Sequence, residues 1–191
     1  MLIGITGGIG AGKSVVSRIL RLKGYQVYDC DSRAKWLMEN SPAIYKPLIE
    51  RYGSEVMTSC GLNRIMLAEK VFSIEEERLW LNALVHGAVR DDLRIWCDGL
   101  GRGIGFVESA IIVSSGLDKM CDRIWLVEAP LELRKQRVMN RGGVTEENLE
   151  KRIRSQRFEF DRLPADKVER IENDDSSSLL MQIDELLRKK Y

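Results

Sequence analysis

Short apolar segments alternate with longer amphipathic segments along most of this 191-residue chain. Five segments have the apolar or alternating pattern of β-strands: residues 1–6, 25–29, 104–108, 123–127 and 167–171. Apolar residues recur at helical spacing after the first of these strands. The pattern predicts helices over residues 13–23, 131–140 and 177–189. Strands that alternate with helices indicate a three-layer α/β fold with a parallel central sheet.

Residues 32–100 depart from this alternation, because their pattern is mostly helical and rich in Leu, Met, Trp and charged residues. The segment is too long for a simple crossover between parallel strands. We therefore predict a helical substrate-binding insert that forms one wall of a cleft. The core of this single domain would then consist of residues 1–31 and 101–191.

A glycine-rich segment follows the first predicted strand and reads GGIGAGKS over residues 7–14, which fits G-x-x-x-x-G-K-[ST]. Its place between a strand and a helix is the one that a phosphate-binding loop, or P-loop, requires. Glycines let main-chain N–H groups surround anionic oxygens, and the helix N-terminus adds a positive dipole end. Lys13 would reach the β- and γ-phosphates, and the Ser14 hydroxyl would bind Mg²⁺.

The sequence therefore predicts a P-loop NTPase fold that binds ATP or GTP. The residues of this region predicted to bind the nucleotide are Gly8, Ile9, Gly10, Ala11, Gly12, Lys13, Ser14 and Val15.

Two carboxylates, Asp29 and Asp31, stand at the end of the second predicted strand. Ligands of an open parallel sheet bind beyond the carboxyl ends of its strands, so this segment and the P-loop should face the same crevice. A kinase that acts on a hydroxyl benefits from a carboxylate that accepts the proton. Asp31 is the candidate base, with Asp29 as the alternative. The competing interpretation is that one or both cap the following helix.

Three arginines, Arg134, Arg137 and Arg141, are spaced so that they share one helix face. Arg141 precedes the break at Gly142-Gly143-Val144, and a mobile lid over about residues 141–157 could carry it over the nucleotide. Arginine suits this role because its planar fork binds phosphoryl oxygens. The competing interpretation is a solvated basic face, but after a P-loop we favour the catalytic role for Arg141.

Composition narrows the classes of partner. Charged residues make up 31% of the chain, yet the formal net charge is only +1, which argues against a broad basic face for nucleic acid. The four cysteines, Cys30, Cys60, Cys97 and Cys121, are widely spread and form no C-x-x-C motif, which argues against a zinc or disulfide framework. No apolar run approaches the roughly 20 residues of a membrane span. We expect a cytoplasmic protein.

The ordered motifs resemble the dephospho-coenzyme A kinase family over essentially the whole chain. The opening signature over residues 4–14 and the D-x-D segment before Arg33-Ala34 both match, as does the insert pattern from Leu62 to His86. The later landmarks that match are Gln136-Arg137, Arg141, Gln156, Ala165-Asp166 and Asn173.

The resemblance implies that ATP donates its γ-phosphate to the ribose 3′-hydroxyl of dephospho-coenzyme A, giving coenzyme A and ADP. It implies that Asp31 is the base and that Thr6, Arg64 and His86 help to hold the acceptor. It also implies that Arg137 and Arg141 bind ATP and that Asn173 lies near the adenine. A monomer or weak homo-oligomer that binds neither nucleic acid nor membrane is expected.

Four positions depart from the family pattern. Val15 replaces a usual threonine but keeps its main-chain N–H, and Gly87 follows His86 where proline is common. Ser114 stands where glutamate is usual, so Glu108 is an alternative carboxylate near Mg²⁺, and Asp174 replaces a usual glycine.

Two other functions compete with this resemblance. A nucleoside monophosphate kinase would share the loop and the arginine lid, but the insert pattern from Leu62 to His86 argues against it. A GTP-dependent switch would be expected to carry N-K-x-D, which the sequence lacks.

Overall fold

The computed structural model describes residues 1–59, 61–72, 74–143 and 145–189. The sequence predictions that involve Cys60 and Val144 therefore lie outside the described residues. The chain divides into two compact units. The first unit contains residues 1–28 and 100–191, and the second contains residues 29–99. Asp31 thus belongs to the second unit.

The strands, in chain order, are β1 (Leu2–Thr6), β2 (Gln26–Asp29), β3 (Met57–Thr58), β4 (Gly61–Leu62), β5 (Gly105–Glu108), β6 (Arg123–Glu128) and β7 (Val168–Glu172). The α-helices are α1 (Lys13–Leu22), α2 (Cys30–Asn40), α3 (Pro42–Tyr52), α4 (Arg64–Phe72), α5 (Glu75–Asp98), α6 (Leu131–Arg141), α7 (Glu146–Phe160) and α8 (Leu179–Arg188). None of these helices, within the part of the chain described, has the length and apolar character needed to cross a bilayer.

A five-stranded sheet in the order β2-β5-β1-β6-β7 forms the centre of the first unit. The pairs β1–β5, β1–β6 and β6–β7 are parallel, which confirms the predicted sheet. Strand β1 is buried at every residue because it lies between β5 and β6. Its two neighbours come later in the chain, on opposite sides, so the loop after β1 lies at a topological switch point, where α/β sheets bind ligands.

The core of the first unit packs α1 and α8 against this sheet. Phe106 of β5 and Trp125 of β6 are fully buried, with ring centroids 5.1 Å apart. Apolar residues of the two helices, including Leu20 and Ile183, are fully buried in the same cluster. Burying a side chain of this size contributes roughly 1.5–3 kcal/mol. This packing fixes the start of α1, where the P-loop ends.

The sequence placed the elements of the first unit within one or two residues of their observed ends. The last strand is Val168–Glu172 rather than 167–171, because residues Ala165–Lys167 form a short 3₁₀-helix. The C-terminal helix begins at Leu179 rather than at residue 177, because the Ser178 hydroxyl accepts a hydrogen bond from the Met181 N–H and caps the helix.

The second unit is mostly helical, as its pattern predicts. Helices α2, α3 and α4 pack against the long helix α5, and β3 and β4 form a short antiparallel pair. Bidentate ion pairs join the helices: Arg33 of α2 binds Asp92 of α5 at 2.7 and 2.8 Å. Arg51 of α3 likewise binds Glu77 of α5 at 2.6 and 2.7 Å.

Candidate active site

Two glycines give the P-loop its shape. Gly10 and Gly12 have φ angles of 79° and 101°, in the left-handed region that glycine adopts without steric cost. A Cβ on Gly10 would lie 2.5 Å from the Arg134 carbonyl oxygen, and one on Gly12 would lie 2.0 Å from Asn173 Nδ2. Any side chain at either position would therefore displace the loop from the segments packed on it.

Lys13 begins α1 and reaches back across the loop. Its Nζ donates to the Gly7 carbonyl at 2.8 Å, and the longer contact to Gly8 O is 3.4 Å. Gly12 at the N-cap has no side chain to accept from the first turn of the helix. The helix N-terminus and the ammonium therefore present positive charge at one place, which suits a phosphate.

The main-chain N–H of Val15 has a partner within the loop. This N–H donates to the Gly12 carbonyl at 2.9 Å and so belongs to the first turn of α1. Its contact with a nucleotide stays a prediction.

Three side chains from distant segments hold the main chain of the P-loop. Gln156 Oε1 of α7 accepts from the Ile9 N–H at 2.7 Å, and Arg134 Nε of α6 donates to the Ile9 carbonyl at 2.9 Å. Asn173 Nδ2, from the residue after β7, donates to the Ala11 carbonyl at 2.7 Å. We call Arg134, Gln156 and Asn173 the loop brace. Its members bond residues 125 to 162 positions away in the chain.

Arg134 has a structural position that its sequence pattern did not reveal. Its guanidinium lies against the P-loop, where a Cβ on Gly8 would come within 2.2 Å of Nη2. The side chain is about half-buried, and this burial lowers the pKa of Arg134 from its ordinary value. An arginine nevertheless stays charged in a protein. The signal available in the sequence was only its shared helix face with Arg137.

Arg137 and Asn173 lie together beside the loop. Arg137 Nη1 donates to the Asn173 carbonyl at 3.1 Å, and Nη2 lies 3.4 Å from Asn173 Oδ1. Arg137 also forms an ion pair with Asp175. Arg141 is one turn further along the same helix, exposed at its last residue. The helix therefore carries two arginines that bind the protein, Arg134 and Arg137, and one, Arg141, that faces solvent.

The two carboxylates after β2 separate into different roles. Asp29 caps α2, because its carboxylate accepts from the Ser32 N–H at 3.1 Å and from the Ser32 hydroxyl at 2.9 Å. The capping interpretation is thus confirmed for Asp29. Asp31 lies exposed in the first turn of α2. This assignment leaves Asp31 as the better candidate for a base.

The other residues expected to hold the acceptor also lie in the second unit, apart from Thr6. Arg64 begins α4 and forms an exposed ion pair with Glu39. Glu39 is two turns further along α2 than Asp31, about 12 Å along the helix axis. His86 is half-buried on α5. The Arg64 guanidinium therefore lies near the end of α2 rather than at its start, where Asp31 stands, and its contact with an acceptor stays a prediction.

The model of the dephospho-CoA kinase family matches residues 1–178 of this chain. The chain belongs to the dephospho-CoA kinase family. A dephospho-CoA kinase from Porphyromonas gingivalis is 42% identical over 82% of this chain and 78% of the relative. A dephospho-CoA kinase from Bacteroides fragilis is 37% identical over 99% of this chain and 92% of the relative.

A solved structure shares the fold of this chain. A crystal structure of a Thermus thermophilus protein is 33% identical, with a TM-score of 0.75, and covers 98% of this chain and 94% of that chain. The resemblance stated from the motifs and the three-layer P-loop fold are both confirmed.

The kinase family uses ATP, and oxygen-bearing side chains near the P-loop would suit a Mg²⁺ ion. Ser14 is exposed in the first turn of α1, and Glu108 ends β5 beside Ile5 of β1. Hydroxyl and carboxylate oxygens are the ligands that Mg²⁺ prefers. Within the described ranges, no group of three or more His, Cys, Asp or Glu side chains could hold a metal by itself. An ion bound mainly by nucleotide phosphates, with one or two protein oxygens, fits this arrangement.

Two buried polar residues differ in the number of their hydrogen-bond partners: the Thr6 hydroxyl has none among the described residues, and the Glu159 carboxylate has two main-chain donors. Thr6 ends β1, and its Oγ1 is buried with no hydrogen-bond partner among the described residues. Glu159 of α7 is only 5% exposed, and its carboxylate accepts from the Val113 N–H at 3.0 Å and the Ser114 N–H at 3.2 Å. The loop that lacks the family glutamate at Ser114 thus binds a carboxylate from elsewhere. Nothing in the local pattern of α7 marked Glu159.

Two other departures from the family pattern have defined surroundings. Gly87 lies inside the helix α5, which continues without a break where the family commonly has proline. Asp174 accepts from the N–H groups of Ser176 and Ser177, and these bonds hold the pKa of its carboxyl well below the usual range. Asp174 therefore shapes the turn between β7 and α8.

Proposed function

We propose that this member of the dephospho-CoA kinase family transfers the γ-phosphate of ATP to the ribose 3′-hydroxyl of dephospho-CoA, giving CoA and ADP in the last step of coenzyme A biosynthesis. The observation that carries the proposal is the family match over residues 1–178. The shape of the P-loop supports the nucleotide half of the reaction, because its glycines and Lys13 form a phosphate site.

The nucleotide side of the site is proposed as follows. The P-loop N–H groups and Lys13 bind the β- and γ-phosphates, and Lys13 stabilises the charge that develops during transfer. Arg141, exposed at the end of α6, binds phosphate oxygens when the lid segment covers the nucleotide. The Ser14 hydroxyl would help to hold Mg²⁺ with the phosphates, and the ion would supply charge neutralisation there. Arg137 contributes from its place beside Asn173.

The acceptor side uses the second unit and Thr6. The 3′-hydroxyl oxygen bonds to the γ-phosphorus while Asp31 accepts the proton of that hydroxyl, and the bond from the phosphorus to ADP breaks. Arg64 and His86 bind the remainder of dephospho-CoA, and the Thr6 hydroxyl contributes from the end of β1. We further propose that the protein acts in the cytoplasm as a monomer or weak homo-oligomer. The wide spacing of its cysteines fits that compartment.

A coupled ADP-release assay with MgATP and dephospho-CoA tests the proposal, with AMP, CMP and no acceptor as comparisons. We expect ADP release to depend on dephospho-CoA and CoA to accumulate in equal amount. Lys13→Ala should lower kcat by about 10²- to 10³-fold, because it removes a cation from the transferring phosphate. Lys35→Ala, at an exposed position of α2, is the matched control. Phosphorylation of a nucleoside monophosphate with none of dephospho-CoA would overturn the proposal.

A further inference from the structure

The side chain of Asn173 is buried against the P-loop rather than left open to a ligand. Only 8% of the residue is exposed. Its Nδ2 donates to the Ala11 carbonyl at 2.7 Å, and its Oδ1 faces Arg137 Nη2 at 3.4 Å. Its main-chain N–H donates to the Glu128 carbonyl at 2.8 Å, and its carbonyl accepts from Arg137. Each polar atom of Asn173 therefore has a partner within the first unit.

We propose that Asn173 is a positioning residue for the P-loop, and that it contributes to ATP affinity through the triphosphate rather than through the adenine. The inference rests on the proposed function, because it concerns the same ATP site. The family resemblance implied instead that Asn173 lies near the adenine.

The contact lies at the point of the loop where position matters most. Ala11 and Gly12 immediately precede Lys13 and the first turn of α1. The main chain at Gly12 lies directly on the Asn173 amide, since a Cβ there would be 2.0 Å from Nδ2. Main-chain N–H groups bind a phosphate well only if they are held in position before it arrives. Rotation of the Ala11 peptide would turn the neighbouring N–H groups away from a common centre.

The orientation of the Asn173 amide is fixed from both ends. Arg137 donates toward Oδ1, and Asp175 holds Arg137 by an ion pair. The nitrogen is thereby directed at the Ala11 carbonyl, which can only accept. The other brace members act on Ile9, where Arg134 binds the carbonyl and Gln156 the N–H. The brace thus holds three peptide units of the loop through α6, α7 and the end of β7.

A positioning role and a contact with the adenine predict different effects on the affinities for different ligands. A residue that contacts adenine changes affinity for ATP but leaves the affinity for inorganic tripolyphosphate unchanged. A residue that positions the loop changes the affinity for every ligand that carries the triphosphate, by a similar factor. The comparison therefore requires three probes: MgATP, magnesium inosine triphosphate and magnesium tripolyphosphate.

The experiment measures the dissociation constants of these probes by titration calorimetry for Asn173→Asp. This variant keeps the size of the side chain but places a carboxylate oxygen against the Ala11 carbonyl. We expect all three dissociation constants to rise about 10-fold or more, and to rise also in Asn173→Ala, which removes the buried donor without adding a charge near the triphosphate. Gln26→Glu is the matched control, since it makes the same chemical change at an exposed position of β2. It should change none of them.

Two outcomes would overturn the inference. A weaker affinity for ATP with unchanged tripolyphosphate affinity would make Asn173 an adenine contact, and unchanged affinity for all three would make the Asn173 contact with Ala11 dispensable. If Asn173→Asp does not fold by circular dichroism, Asn173→Ala removes the amide without adding a charge and gives the same readout. Because binding is measured without an acceptor, tight binding with no phosphorylation of dephospho-CoA would contradict the proposed function and leave this inference standing.

Discussion

At the P-loop of the first unit, the groups that face the expected phosphate are main-chain N–H groups and one ammonium, and side chains from distant segments hold that main chain in place. In the second unit, ion pairs between side chains join helices, such as Arg33 with Asp92 and Arg51 with Glu77. The first arrangement depends on backbone shape and the second depends on charge. The two units should therefore respond differently to the same kinds of substitution.

The largest expected effect is on kcat, and it distinguishes a catalytic carboxylate, Asp31, from a helix-capping one, Asp29. Asp31→Asn should lower kcat by roughly 10²-fold or more while ATP binding is retained, because the proton acceptor is lost. Asp29→Asn should retain kcat, because asparagine caps a helix as well as aspartate does. Turnover in the coupled ADP-release assay checks both variants. Near-normal turnover of Asp31→Asn, or loss in Asp29→Asn alone, would reverse the assignment of the two carboxylates.

The next effect tests a carboxylate that binds main-chain groups. Glu159 accepts from the N–H groups of Val113 and Ser114 while almost fully buried. Glu159→Gln replaces one acceptor oxygen with a donor and should lower the free energy of unfolding by about 1–3 kcal/mol. Urea denaturation at neutral pH measures this change. Glu147→Gln, at a solvent-exposed ion pair on the same helix, should change it by less than about 0.5 kcal/mol.

The third effect concerns Glu77, a carboxylate held by side chains, whose contribution to stability should depend on pH. The Arg51 guanidinium and the Tyr52 hydroxyl hold the pKa of Glu77 at about 2, below its ordinary value of 4.5. A group whose pKa is lowered on folding stabilises the protein above its unfolded pKa and loses that contribution as the pH falls through its folded pKa. The contribution of Glu77 should therefore be complete at neutral pH and disappear between about pH 4.5 and 2.

Urea midpoints of the wild type and of Glu77→Gln, measured from pH 7 to pH 2, test this dependence. The variant should be less stable at pH 7, and the two midpoints should converge in the acid range. A difference that stays constant with pH would show that Glu77 stabilises α5 by packing rather than by charge.

The sequence predicted the P-loop, because its residues are consecutive in the chain. The P-loop motif specifies its strand, its glycines and its helix within residues 1–22, so local pattern was sufficient. The brace could not be predicted, because Arg134, Gln156 and Asn173 come from separate elements and meet Ile9 and Ala11 only after the sheet has formed.

The second unit shows the same limit in another form. Its helical character follows from the pattern, but Asp29 and Asp31 both stand at a helix start, and only the contacts of Ser32 show which of them is the cap. Glu159 was missed because a single glutamate on a polar helix carries no pattern that distinguishes a buried residue from an exposed one.

The smallest effect contrasts the glycines of the two units. Gly87 is inside α5, where an added Cβ would meet nothing closer than Arg90 Nη2 at 3.9 Å. Gly87→Ala should raise the free energy of unfolding by roughly 0.5–1 kcal/mol, because alanine costs less backbone entropy in a helix. Gly10→Ala, in contrast, should weaken MgATP binding, because its φ is left-handed and its Cβ would meet Arg134. Urea denaturation and calorimetry measure the two changes. Loss of turnover in Gly87→Ala would instead indicate that the glycine serves the acceptor contact that we propose for His86.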